Sequence, residues 1–423
     1  PGEGDWFTAT AEADSKETGK YSLKVKVNEN NGTERRSSTV ELYSEGAPAT
    51  RLGTLEVLQS SKTADELKDM VFVGKAAFAN DFTIYLPLAG EIDCYIDWGD
   101  GTVEHVEKYV SSYNDNKRKN TLHKYDIDKA TEYEIRVSGK VTALSSYYTI
   151  PESYRLTISA VKQWGSTGLN DMSNAFKGFG ALKSIPADET GAFAEVTTFK
   201  FAFSSCKALE TIPDGLFKYC ENVTSFAGTF YECSALASIP SGLFSACKKA
   251  TDFGQCFYYC SSLTSIPDDL FVGCAEMRYA NDLFRYCKNL LSIPAKLFAG
   301  NPKITSFNYT FGECSKLTSI PESLFDNCPN VSRFNGIFSF CSDLKSVPVS
   351  IFDNNRRVTD FSNTFYCCYS VVGESPYTVI NGVKYHLYER VDNPDEFVAP
   401  ISYQVCFDGT GFSDKDQMPE GWK

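Results

Sequence analysis

Hydrophobic positions recur with a fixed period along the second half of the chain. An Ile-Pro or Val-Pro pair returns every 27 residues over seven copies, and a leucine three residues before each Ile or Val keeps the same register. A phenylalanine column has the same period and consists of Phe176, Phe203, Phe230, Phe257, Phe284, Phe311, Phe338 and Phe365. A repeat of this length without insertions predicts a solenoid, in which each unit buries its apolar side against its neighbours.

The spacing within one unit predicts its local shape. Phe226, Phe230 and Cys233 stand at i, i+4 and i+7, which is typical of one face of a helix. A short extended segment follows, and Pro240 ends it because proline cannot donate a hydrogen bond to a ladder. We therefore expect each unit to combine helical turns with a short strand.

The phrases "LTSIPxxLFxxC" and "VTSFxxTFxxC" resemble the BspA-like branch of bacterial leucine-rich repeat proteins over about 165–371. The resemblance implies an α/β solenoid with a thin strand layer and short outer helices. It also implies a cell-surface or secreted protein with a role in adhesion and interaction. The chain departs from this family in its many cysteines and in having two half-repeats in each unit.

Cysteine is the unusual component, with 15 residues in the chain. A first cysteine column comprises Cys206, Cys233, Cys260, Cys287, Cys314, Cys341 and Cys368. A second cysteine column comprises Cys220, Cys247, Cys274 and Cys328. Phe179 replaces the first column in the first unit, and Asn301 and Asn355 interrupt the second, which a zinc site would not tolerate. Side chains of one column point in parallel, so we interpret the cysteines as small buried hydrophobes rather than disulfides or catalytic thiols. The redox state of the irregular Cys256 and of the vicinal Cys367 and Cys368 stays open.

Two segments before the repeats have the period-two alternation of β-strands. Residues 1–62, with "YSLKVKV", "RRSSTVEL" and "LEVLQSS", resemble the BACON domain, which implies an Ig-like β-sandwich. Residues 63–160, with "DWGDGT" and "HKY", resemble the PKD-type β-sandwich. Asp97 and Asp100 are explained either by turn chemistry or by calcium binding, and the sequence leaves both open.

These segments predict a multidomain chain. We expect a BACON-like domain at 1–62, a PKD-like sandwich at 63–160 and the leucine-rich repeat solenoid at 161–371. Residues 372–423 are predicted to hold an insertion and a degenerate capping repeat, in which Phe407 continues the phenylalanine column.

Charge and composition exclude several function classes. The chain has 423 residues and a formal charge of -13, which argues against a general nucleic-acid binder. No apolar run approaches the roughly 18–20 residues of a membrane helix. The sequence starts at Pro1 rather than Met, and by analogy with the family we expect a lipid anchor on a removed N-terminus. Only three histidines occur, and we expect no cofactor, no metal and no catalytic residue.

Aromatic residues at the variable positions between the phenylalanine and first cysteine columns are the candidate ligand-binding residues. They are Tyr231, Tyr258, Tyr259, Tyr286 and Tyr366. They are expected to face outward, and clustered exposed aromatics can mark a binding surface. Packing of tyrosines between neighbouring units is the alternative. A Ser or Thr before every Ile-Pro or Val-Pro pair is likewise either a hydroxyl stripe on the surface or a structural ladder.

Two functions follow as hypotheses. The first is a non-enzymatic adhesion and interaction protein at the outer membrane's extracellular face or secreted, whose repeats bind a host protein or glycan. The second is a carbohydrate-binding accessory of a polysaccharide-uptake system. A hydrolase would need paired carboxylates in a cleft, and the regular units offer none.

Overall fold

A computed structural model describes residues 68–77, 79, 81–107, 121–146 and 154–423 with their side chains. It also gives the backbone of the strands between residues 3 and 59 and of residues 108–110. The chain divides into two compact units, Pro1–Lys68 and Asp69–Lys423.

Five strands are described in the first unit. They are β1 Glu3–Gly4, β2 Phe7–Ala13, β3 Tyr21–Val27, β4 Arg36–Tyr43 and β5 Arg51–Gln59. Strands β1, β2 and β3 form one antiparallel sheet, and β4 pairs with β5 in another. Their side chains lie outside the described residues, so the BACON-like sandwich stays a prediction.

The second unit begins with seven strands. They are β6 Met70–Ala76, β7 Thr83–Tyr85, β8 Leu88–Asp97, β9 Val103–Val110, β10 Leu122–Lys124, β11 Thr131–Leu144 and β12 Ile158–Gln163. Five of them form an antiparallel sheet in the order β12-β6-β11-β8-β9, and β7 pairs with β10. Ile92, Cys94 and Ile96 of β8 are buried, because side chains on one face of a strand alternate with those on the other. The resemblance of this region to a PKD sandwich stays a prediction.

The "DWGDGT" segment is a turn held by its own carboxylates. Asp97 Oδ1 accepts the N–H of Gly99 at 2.9 Å, and Asp100 Oδ1 accepts that of Thr102 at 2.9 Å. His123 Nε2 lies 2.8 Å from Asp100 Oδ2. These hydrogen bonds are those expected if the aspartates stabilise the turn. No group of three or more His, Cys, Asp or Glu suited to a metal occurs among the described residues.

The 27-residue repeats form stacked coils joined by parallel β-bridges. One ladder connects Thr198, Ser225, Asp252, Tyr279, Ser306, Arg333, Asp360 and Ser402. A second ladder, on the Ser or Thr before the Ile-Pro pair, includes the bridges Thr211↔Ser238 and Ser319↔Ser346. The antiparallel sheet continues into both ladders through Ala143↔Asp171 and Ala160↔Ser184. One hydrophobic core extends from Met70 to Trp422, and the coils form a solenoid of the leucine-rich repeat type.

The short helices predicted in each unit are wrong. The segment from Phe226 to Cys233 is a run of turns, and the described residues contain no α-helix. Alternate N–H groups bond to a carbonyl three residues back or to the next coil, as Thr229 N–H does to Phe226 and Phe230 N–H does to Cys256. Left-handed residues make this alternation possible, among them Glu232 at φ 57°.

Phenylalanine stacking fills the interior of the coils. Phe230, Phe257 and Phe284 are fully buried, and their ring centroids lie 5.6 and 5.5 Å apart in nearly parallel planes. Burial of each such side chain contributes roughly 1.5–3 kcal/mol. The column ends at Phe407, whose ring stacks on Phe365 at 6.1 Å, as predicted for a degenerate last repeat.

The C-terminal region caps the stack. Its elements are β13 Val372–Gly373, β14 Tyr377–Ile380, β15 Val383–His386, β16 Gly411–Phe412 and 3-10 helices at Leu387–Asp392, Lys415–Gln417 and Glu420–Trp422. Strands β13 and β16 pair in parallel, and β14 and β15 form a hairpin. Trp422 is buried, and its carbonyl accepts the N–H of Phe407 at 2.8 Å.

Candidate functional site

The first cysteine column is part of the interior and not a reactive site. All fifteen cysteines are buried thiols. Each thiol of the column donates to the carbonyl of the phenylalanine thirty residues earlier, as Cys287 Sγ does to Phe257 at 3.2 Å. Burial raises the pKa of Cys287 and of Cys368 to about 12, so the thiolate form is disfavoured at neutral pH. The interpretation as small buried residues is confirmed, with a donor role added.

The second cysteine column shows why asparagine can replace cysteine there. Cys274 Sγ donates to the carbonyl of Phe244 at 3.4 Å. Asn301 Nδ2 does the same to Phe271 at 3.3 Å and also reaches the carbonyl of Cys274 at 2.8 Å. The position therefore requires a small buried donor rather than sulfur.

The Ser and Thr residues before the Ile-Pro or Val-Pro pairs form an exposed stripe. They are Ser184, Thr211, Ser238, Ser265, Ser292, Ser319 and Ser346, and all seven are exposed. The backbones of Ser184, Thr211, Ser238, Ser319 and Ser346 form β-bridges, while the described structure gives the seven hydroxyls no hydrogen-bond partner. Both interpretations of the stripe therefore hold in part, because the ladder is made by the backbone and the hydroxyls face solvent.

Aromatic side chains line one edge of the coils, which we call the aromatic edge. It consists of Phe201, Tyr231, Tyr258, Tyr259, Tyr286, Tyr309, Phe340 and Tyr366, each partly or largely exposed. Tyr259 is 39% exposed and Phe340 is 40% exposed. All five candidate tyrosines lie on this edge.

Four of the candidate tyrosines contact one another. The rings of Tyr231 and Tyr258 stack face to face with centroids 4.6 Å apart and an angle of 1° between their planes. Tyr286 meets Tyr258 edge-on at 5.4 Å and Tyr259 at 5.6 Å. Tyr366 lies apart from this group, with its ring 5.2 Å from that of Phe340. The packing that the sequence left as an alternative therefore occurs, on an edge that still reaches solvent.

Charged groups are interleaved with the rings. The Arg285 guanidinium lies 4.2 Å from the Tyr309 ring centroid and pairs with Asp282 at 3.1 Å. Burial raises the pKa of Asp282, although Arg285 opposes the shift. Burial and the neighbouring Tyr231 also raise the pKa of Tyr258 to about 12, so its phenol stays neutral and can donate a hydrogen bond.

Phe201 and Tyr309 were not among the predicted site residues. Both residues have a left-handed backbone conformation, with φ 54° at Phe201 and 52° at Tyr309. The Phe201 ring lies over Gly228 of the next coil, and the Tyr309 ring lies over Gly336. A Cβ at Gly228 would lie 2.2 Å from the Phe201 ring, so only glycine fits. The signal in the sequence was an aromatic residue followed by glycine exactly one repeat later.

Comparisons with known proteins identify no family. No family model matches the sequence, and no curated protein matches it. A leucine rich cell surface protein from Faecalibacterium prausnitzii A2-165 is 16% identical over 65% of this chain and 82% of its own, with a TM-score of 0.19. TLR13 in a complex with ssRNA13 is 13% identical over 50% of this chain and 43% of its own, with a TM-score of 0.12. At these TM-scores neither likeness carries an argument, so the solenoid assignment rests on the coils themselves.

No helix in the described part of the chain is long and apolar enough to cross a membrane.

Proposed function

We propose that this chain is a non-enzymatic adhesion and interaction protein of the cell surface, whose coils present the aromatic edge to an extracellular protein or glycan. The observation that carries the proposal is the edge itself, with Tyr259 and Phe340 about two-fifths exposed on an otherwise regular stack. Aromatic rings supply large rigid contact area at a low cost in conformational entropy. The stacked coils behind them fix their positions before a partner binds.

A carbohydrate-binding accessory of a polysaccharide-uptake system is the second candidate. Sugar rings stack on aromatic faces, and the neutral phenols of Tyr231 and Tyr258 add hydrogen-bonding groups at the same place. The two candidates share the site and differ in the partner.

The absence of catalysis is part of the proposal. The described coil thiols are buried, with raised pKa values such as that of Cys274 at about 12. The coils from 165 to 371 contain no histidine that could act as a base. Turnover of any polysaccharide by the purified chain would contradict this part. Location at the cell surface or in the secreted fraction belongs to the same proposal.

Binding to panels of glycans and extracellular-matrix proteins tests the proposal. We expect the chain to bind at least one member and the double variant Tyr258→Ala/Tyr286→Ala to lose most of that binding. Tyr219→Ala is the matched control, because Tyr219 is 41% exposed but lies beside Lys218 in the other half-repeat of the coil. We call this half-repeat, which carries the second cysteine column, the opposite turn. Thermal unfolding of each variant shows whether the fold is kept. Equal binding by the double variant and the control would remove the aromatic edge from the proposal.

A further inference from the structure

Beside the aromatic edge lies a second surface, which we call the hydroxyl-lysine face. It consists of the exposed Ser and Thr stripe together with five exposed lysines, Lys183, Lys207, Lys288, Lys316 and Lys345. None of these lysines forms an ion pair or a side-chain hydrogen bond with the described residues. Glu210 and Asp343 are the acidic residues interspersed among them.

Two lysines of another column, by contrast, have partners. Lys303 pairs with Glu276, and Lys249 Nζ bonds to Asn222 Oδ1 at 2.8 Å, both on the opposite turn. That turn also carries a hollow lined by Glu322, Asp326 and Asp353. Positive charge is therefore unpaired on one face of a chain whose formal charge is -13.

Lys288 joins the two surfaces. Its Nζ lies 6.0 Å from the ring centroids of both Tyr259 and Tyr286. Lys316 occupies the next coil, where its N–H bonds to the carbonyl of Lys288 at 3.3 Å. Ser292 follows Lys288 on the same coil and is exposed. Rings, ammonium groups and hydroxyls are thus adjacent within two coils.

We propose that this junction binds an anionic polysaccharide, one that bears carboxylate or sulfate groups. Tyr259 and Tyr286 would contact sugar faces, Lys288 and Lys316 the anionic groups, and the Ser and Thr stripe the sugar hydroxyls. The overall negative charge does not prevent this, because salt screens charges beyond about 8 Å at physiological ionic strength. Glu313, on the same coil as Lys316, is the acidic residue that follows Tyr286 in its column. The inference rests on the proposed function and specifies its partner.

Binding of the full chain to heparin and polygalacturonate, compared with the neutral polysaccharide dextran, tests the inference. We expect the two polyanions to bind and dextran not to bind. Affinity should fall as salt rises, since each lysine contact releases counterions. The variant Lys288→Gln/Lys316→Gln should bind about tenfold more weakly and with a shallower salt dependence, because it loses two of the positive charges that contact the polyanion. Lys303→Gln, on the opposite turn, is the control and should leave binding unchanged.

The outcomes separate this inference from the proposed function. Equal binding of dextran and the polyanions, or an unchanged Lys288→Gln/Lys316→Gln variant, overturns the anionic assignment and leaves the aromatic edge in place. Binding of a protein but of none of the three polysaccharides also overturns the inference while supporting the proposed function. Loss of polyanion binding in Lys303→Gln to the same degree would show a nonspecific charge effect and overturn it as well.

Discussion

The two cysteine columns of the coils look alike in sequence but end differently. In the first column, seven thiols follow one another without interruption, and each donates to a phenylalanine carbonyl at 3.0–3.3 Å. The second column contains four cysteines and two asparagines and ends at a buried arginine. Arg390 donates to the carbonyls of Phe352 at 2.9 Å and Asn355 at 3.0 Å, which are the acceptors that a further unit would have used.

The comparison shows which property of the side chain is needed at these positions. Three chemically unlike side chains, a thiol, an amide and a guanidinium, meet the same row of carbonyls. A buried carbonyl without a donor costs about 1–3 kcal/mol, so the donor is the constant and the residue type is the variable. Cysteine is the smallest residue that supplies this donor and still packs as a hydrophobe.

Alkaline pH should produce the largest effect, because it removes protons from both columns at once. The pKa of Cys287 in the folded chain is about 12, against an ordinary 9.0. A raised folded pKa contributes stability that is complete below pH 9 and is lost as pH rises from 9 towards 12. Each thiol contributes about 1.4 kcal/mol to the free energy of unfolding for each pH unit by which its folded pKa exceeds its unfolded pKa. Many thiols contribute in the same pH range. We expect the free energy of unfolding in urea to fall steeply above pH 9.

Tyrosine and lysine also lose protons in this pH range, so a single cysteine substitution is needed to isolate the contribution of a thiol to the loss of stability. Cys287→Ala lowers stability at every pH through its cavity, but its slope against pH should be shallower by one proton. A free energy of unfolding that stays flat up to pH 10.5 would contradict the explanation.

Loss of the arginine cap should be the next largest effect. Arg390→Met keeps the length of a side chain that is 1% exposed but leaves two buried carbonyls without donors. We expect it to lose roughly 2–6 kcal/mol of unfolding free energy. Arg390→Lys should be intermediate, because one ammonium group replaces a forked donor. Arg357→Met, at an exposed position, is the control, and equal loss in both methionine variants would refute the capping role.

The columns could be predicted from the sequence because a solenoid converts sequence period directly into spatial stacking. Burial of the cysteines and the continuation of the stack to Phe407 followed from that register. The local conformation could not be predicted in this way, because a helix and these turns share the i, i+4 and i+7 spacing of buried residues. Non-glycine residues with positive φ, such as Glu232 and Tyr259, carry no signal in propensity, and bonds between coils hold them.

The outward position of the candidate tyrosines could be predicted from the repeat, but the contacts between their rings could not. The five tyrosines do lie on one edge, yet the face-to-face stack of Tyr231 on Tyr258 depends on the spacing of adjacent coils. Arg390 could not be found at all from the repeat, because it enters the column from the insertion and out of register. Residues that close a periodic structure are, for this reason, the hardest to read from its period.

Asparagine in the second column should be a small defect that can be corrected. Asn301 is fully buried, and its Oδ1 has no partner although its Nδ2 has two. Asn301→Cys keeps a donor and removes the unpaired oxygen, so we expect about 1 kcal/mol of added stability in urea unfolding. Asn301→Leu removes the donor and should lose about 2 kcal/mol. A less stable Asn301→Cys would mean that the second amide bond, to Cys274, outweighs the unpaired oxygen.

The smallest effect is expected at Cys367, one of the four cysteines that belong to neither column. Cys367 is left-handed at φ 59° and 7% exposed, in a position that other coils fill with Glu232, Tyr259 or Phe340. Its neighbour Cys368 is fully buried and donates to Phe338 at 3.0 Å. Cys367→Ser should change the unfolding free energy by only about 0.5 kcal/mol, because serine is nearly the same size and part of this side chain still reaches solvent. Cys368→Ala loses a donor and a packed sulfur and should cost about 1–3 kcal/mol. Maleimide labelling of the native chain should modify Cys367 first, and Cys367→Ser should abolish that fast phase. Equal labelling of many thiols would show that the columns open to solvent, against the account of a closed interior.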